Sequence, residues 1–209
     1  MFKLTSLALA GTLMSVCTAT AATVSFDLTG GHGASGPAHV FSVDGIGLTV
    51  GGKVCRDAGC EGRTYDKDVQ HWGNGFGLKS WLLDSHQADG FGWDDMILLT
   101  FDTAVRLESL RFSYADGDDH ATILRPGPGG GFLTDEKVAI GGSGVADPLG
   151  EFEGLSFGVA AVDWNDGWKL AGVDVSAVAP VPLPAAGWML LAAIGGLCGA
   201  GARRGQRAA

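Results

Sequence analysis

The sequence from residue 23 to about residue 179 predicts an all-β fold, an antiparallel, jelly-roll-like β-sandwich. Three observations carry this. Glycine is abundant, 35 residues spread along the chain, and it interrupts every long helical pattern. No stretch between the two apolar termini shows a 3.6-residue apolar period. Short strand-like runs recur instead, separated by Gly and Asp clusters.

The expected strands, in order, are 23–28, 38–43, 46–50, 96–101, 105–114, 120–125, 136–140, 155–161 and 168–178. One of them carries extra information. Val105 and Leu107 alternate with Arg106 and Glu108, and then the apolar phase shifts to Leu110, Phe112 and Tyr114. A one-residue slip would turn half the apolar set to water. A β-bulge near Glu108–Ser109 restores the inward face. Two segments read as loops: 53–80, with its run Trp72-Gly73-Asn74-Gly75-Phe76-Gly77, and the Pro/Gly turn 125–131. No strand-to-helix context surrounds Gly73, Gly75 and Gly77, so they do not form a nucleotide-binding loop.

The termini differ from this middle part. Residues 1–22 open with Lys3, run apolar from Leu7 to Val16, and end in the small residues Ala19, Ala21 and Ala22. That is the pattern of a secretory signal peptide cleaved after Ala21 or Ala22. About 160 residues then remain for one domain with its own core. The whole chain carries a net charge of −9, and all 23 acidic residues fall in the middle part, while Lys3, Arg203, Arg204 and Arg207 lie outside it. So acidic a domain argues against nucleic acid and anionic lipid as partners, and suits divalent cations or an extracellular setting.

Of the 4 cysteines, Cys17 lies in the signal segment and Cys198 in the C-terminal apolar run. Cys55 and Cys60 remain. In an oxidising compartment they predict a short-loop disulfide. A zinc site lacks a second pair of soft ligands.

Residues 180–209 form a tail with three parts. Pro180, Pro182 and Pro184 favour an extended, accessible stalk. The uncharged run from Ala185 to Ala202, about 18 residues, spans close to the hydrocarbon thickness of a bilayer as a helix. Arg203, Arg204 and Arg207 then act as a cytoplasmic stop, which leaves the large domain outside. Val181-Pro182-Leu183-Pro184-Ala185, the membrane-length run and the Arg cluster together resemble the VPLPA variant of the PEP-CTERM sorting signal. The resemblance implies recognition by an exosortase-type membrane enzyme, cleavage near the proline motif, and delivery of an anchored precursor to the cell surface or medium. A plain single-pass anchor is the alternative. The middle part loosely resembles proteins that carry such tails, through residues 72–78, 94–102, 105–113 and 165–170. That likeness implies a β-sandwich surface protein of undefined biochemical role, while the tail's resemblance implies a host that often makes exopolysaccharide.

Three sets of residues are candidates for chemistry. Asp116, Asp118 and Asp119 crowd one turn and are candidate oxygen ligands for Ca²⁺, although no EF-hand spacing is present. The same residues equally suit a solvated Asp/Gly turn. Asp94 and Asp95 are a weaker second cation candidate. Trp72, Trp93 and Trp164, each beside Gly, Asp or Asn, are candidate carbohydrate-stacking residues; filling or covering the core is their other use. His32, His39, His71, His86 and His120 are scattered, and neither G-x-S-x-G nor H-E-x-x-H occurs. The expectation is therefore a non-enzymatic surface or matrix protein. A carbohydrate-binding module is the alternative, with a secreted glycan hydrolase behind it.

Overall fold

The computed structural model describes residues 22–79, 86–147 and 152–178. The expected signal segment 1–22, but for Ala22, and the expected sorting tail 180–209 lie outside the described residues. Within them the protein is almost entirely β, in one large antiparallel, sandwich-like sheet system.

The first strands are β1 (Thr23–Asp27), β2 (Ala34–Gly36), β3 (Ala38–Val43) and β4 (Ile46–Cys55). A short 3-10 turn, Ala58–Cys60, leads to β5 (Thr64–Lys67), β6 (Val69–Trp72), β7 (Gly75–Leu78) and β8 (Ala88–Asp89). The long β9 (Asp94–Ser113) follows, then β10 (His120–Pro126) and β11 (Phe132–Ala139). The described chain closes with β12 (Val145–Ala146), β13 (Phe152–Ala161) and β14 (Gly167–Ala177).

β9 organises the rest. Its first part, Asp94–Phe101, pairs with β4 along one edge, and Asp95–Thr100 pairs with β13 along the other. Its second part, Val105–Ser113, exchanges β4 for β14, while Val105–Leu107 stay paired with β13. The sheet divides at this change. β3 and β5 extend the branch on β4, whereas β1, β7 and β8 attach to β14, with β6 and β2 beyond β7. Side chains of the two branches then meet. His39 and Phe41 from β3 pack edge-on against His71 and Phe76 from β6 and β7, with ring centroids 5.1–5.9 Å apart. Phe26 of β1 meets Phe101 of β9 at 6.0 Å. β4 shows the pattern behind this packing: Ile46, Leu48, Val50, Gly52 and Val54 are buried, and Gly47, Thr49, Gly51 and Lys53 between them are half-exposed.

The bulge lies where the apolar phase demands it. Ser109 faces Asp174 and Leu107 faces Val175, so Glu108 is the extra residue. Val105, Leu107, Leu110 and Phe112 are consequently all buried. Tyr114 departs from the expected series. It has left the strand with φ 61° and is exposed.

The segment 53–80 is not one long loop. It contains the end of β4 and all of β5, β6 and β7. Its glycines sit in strands because neighbouring backbone comes very close. A Cβ on Gly75 would lie 2.5 Å from the Leu170 carbonyl oxygen, and one on Gly77 would lie 2.0 Å from that of His86. Gly75 also has φ 128°, which disfavours any other residue.

Candidate functional site

Two regions gather the side chains able to do chemistry. The first joins the turns at 115–120 and 162–167. Asp119 is buried, and its two carboxylate oxygens accept from the Asp116 amide at 2.6 Å and the Gly167 amide at 2.8 Å. Asp166, also buried, accepts from the His120 and Asp163 amides, each at 2.9 Å. Each turn thus holds the start of the strand that follows the other. Trp168, in the core, closes the joint by donating from Nε1 to the His120 carbonyl at 2.9 Å. Asp118 accepts from the Asn165 side-chain amide, and Asp116 from the Asp118 amide. The expected Asp116–Asp119 turn is therefore present, and its carboxylates hold amides.

The same joint brings together a His/Asp group that the sequence did not suggest. His120 Nδ1 lies 3.8 Å from Asp166 Oδ1 and 3.9 Å from Asp163 Oδ2. Carboxylates and an imidazole so placed are a candidate cation group. Lys137, however, already pairs with Asp163. Burial pushes the Asp166 carboxyl above its usual range, against the pull of its two amides. Asp94 is raised in the same way, with the Gly59 amide opposing and the charges of Asp163 and Asp166 adding to the rise.

The second region is a groove beside the disulfide. Cys55 and Cys60 are bonded, as their spacing predicts, and both are buried. β4 is the central strand here. Cys55 faces Thr64 of β5 on one side and Asp94 of β9 on the other, and Val54 likewise faces Tyr65 and Asp95. This register places Arg56, Tyr65 and Trp93 around one end of three adjacent strands. The Tyr65 and Trp93 rings lie 24° from parallel with centroids 6.4 Å apart. The Arg56 guanidinium sits over Trp93 at 4.6 Å and over Tyr65 at 5.6 Å. Phe91, 77% exposed, completes the apolar lining of a groove of about 630 Å³. Asp66 and Lys67 add charge at its wall. Asp66 is held by Lys53 at 2.6 Å, and the Lys67 ammonium lies 4.0 Å from the buried Asp95.

The three singled-out tryptophans therefore part company. Trp93 lines the groove and is 49% exposed. Trp72 is half-buried, stacked on His86 at 5.1 Å with the Lys169 ammonium 5.3 Å from its ring. Trp164 is 79% exposed and is not part of the groove lining. Sequence reasoning missed Arg56, Tyr65 and Phe91. The one available signal was that Arg56 follows a disulfide cysteine and Phe91 precedes Gly92-Trp93.

No protein-family model, curated protein or solved structure matches this chain.

Proposed function

We propose that the protein is an exported, non-enzymatic bacterial surface or matrix protein, sorted through its C-terminal tail. The observation that carries this reading is the order of the tail: Val181–Ala185, a membrane-length apolar run, then Arg203, Arg204 and Arg207. The disulfide agrees with an oxidising destination. Intact-mass analysis of the protein from cells with and without the sorting enzyme tests it. Loss of the residues beyond the proline motif only when the enzyme is present is expected. Ala209 retained in the normal cell would leave a plain anchor.

A second reading concerns what the folded domain does. We read its architecture as a jelly-roll-like sandwich that holds carbohydrate, and the Tyr65–Phe91–Trp93 groove favours this. Aromatic rings in an accessible groove offer the C–H faces of sugar rings a place to stack. A hydrolytic role needs two carboxylates converging on a substrate. The groove lining has Asp66 alone, engaged by Lys53, while the raised carboxyls of Asp94 and Asp166 are nearly buried and hold amides. Calcium at Asp116, Asp118 and Asp119 would have to compete with the amides that these carboxylates accept. Retention of Trp72→Ala, Trp93→Ala and Trp164→Ala variants on exopolysaccharide tests the reading. Loss confined to Trp93→Ala is expected, and unchanged retention in all three folded variants would remove it.

A further inference from the structure

We infer that the groove selects acidic polysaccharide, with Arg56 receiving a sugar carboxylate while Trp93, Tyr65 and Phe91 carry the apolar face of the chain. The inference rests on the carbohydrate reading above and narrows it to a substrate class.

The charge pattern supports it first. The chain has 23 acidic and 14 basic residues, yet Arg56 and Lys67 supply two cations to the groove against one carboxylate. That carboxylate, Asp66, is neutralised by Lys53. Lys67 faces Asp95. Among the described residues Arg56 forms no ion pair; its partners are the two rings beneath it. A guanidinium lying on a ring keeps its N–H edge available, and that planar fork matches a carboxylate in two parallel hydrogen bonds.

The position of Arg56 is also fixed. It follows Cys55 directly, at the point where β4 ends. The Cys55–Cys60 bridge closes the turn behind it, and the Gly59 amide donates to Asp94, the neighbour of Trp93. Guanidinium and ring are thus tied to the same short stretch of backbone. A cation pre-organised on an aromatic platform loses little freedom on binding. The net negative charge of the chain, −9, repels polyanions in general. A carboxylated polymer is therefore held only where stacking and the fork act together.

The test passes the full chain, in non-ionic detergent, over three immobilised polymers. These are polygalacturonate, the same polymer after its carboxyls are reduced to alcohols, and polyglutamate. Retention on polygalacturonate at least about tenfold stronger than on either other polymer is expected, from the strength of a charge-assisted pair. Arg56→Ala should abolish the preference and Arg56→Lys should recover only part of it. Trp93→Ala should weaken retention on both sugar polymers. Equal retention on the native and reduced polymers would overturn the acidic selectivity and leave sugar binding standing. Equal retention on polyglutamate would show plain anion capture and overturn it too. No retention on either sugar polymer would overturn both readings. A preference that survives Arg56→Ala would remove Arg56 from the account.

Discussion

In the joined turns at 115–120 and 162–167, carboxylates hold backbone amides; in the groove beside Cys55, rings and a guanidinium line accessible space. The materials are similar, with Asp, Trp and a cation in each region. The difference lies in where the polar valence goes. Buried Asp119 and Asp166 each accept an amide at both oxygens, which holds β10 and β14 in place. Arg56 and Trp93 contact each other and Tyr65 through ring faces. Density of chemically capable residues alone is thus a poor guide to a binding site, and side chains facing accessible concave space are the better candidates.

The joint depends most on Asp166. Asp166→Ala strands the His120 and Asp163 amides and should cost about 3 kcal/mol, read by denaturant titration. Sugar retention per folded molecule should not change. Removing the bridge with Cys55→Ala and Cys60→Ala should cost about 2 kcal/mol through the short loop it closes. That change should also loosen Arg56 and weaken retention, because here scaffold and groove are one piece. Arg56→Ala belongs wholly to the groove and should change stability by under about 1 kcal/mol.

The pH dependence of stability has opposite signs at two carboxyls, Asp94 next to Trp93 and Asp174 on β14. The raised Asp94 carboxyl contributes stability fully below the usual value of 3.8 and loses it as pH rises through its folded value. Asp94→Asn keeps an acceptor for the Gly59 amide. It should therefore raise the Tm at pH 7 and lose that gain as pH falls through the raised folded value, with none left below about 3.8. Asp174 behaves oppositely. Burial raises its carboxyl, but Ser25, Ser109 and Arg111 outweigh this, and its net value is lowered from 3.8. Its contribution is full above 3.8 and is lost as pH falls through the folded value. The smallest effect concerns calcium. With Asp116 and Asp119 engaged by amides, Ca²⁺ or a chelator should leave the Tm unmoved, and a rise with Ca²⁺ would restore the turn as a cation site.

Much of this was legible in the residues. Alternation located the long strands, and the phase change at Leu107–Leu110 located the bulge at Glu108. The disulfide followed from spacing. The strands within 53–80 were hidden because their glycines answer to distant backbone at Leu170 and His86, which no local pattern encodes. Tyr65 was hidden by the charged Asp66 and Lys67 beside it. The groove as a whole was illegible for a topological reason. Arg56 and Trp93 lie far apart in sequence and meet only because β4 pairs with β9 in the register that sets Cys55 against Asp94.

The most direct measurement is hydroxyl-radical footprinting of the full chain with and without a short oligogalacturonate. Protection of Tyr65, Phe91 and Trp93, with Trp164 and His120 unchanged, is the predicted result. Protection centred on Trp164 and His120, or no protection at Trp93 under saturating sugar, would contradict the division between a structural joint and a binding groove.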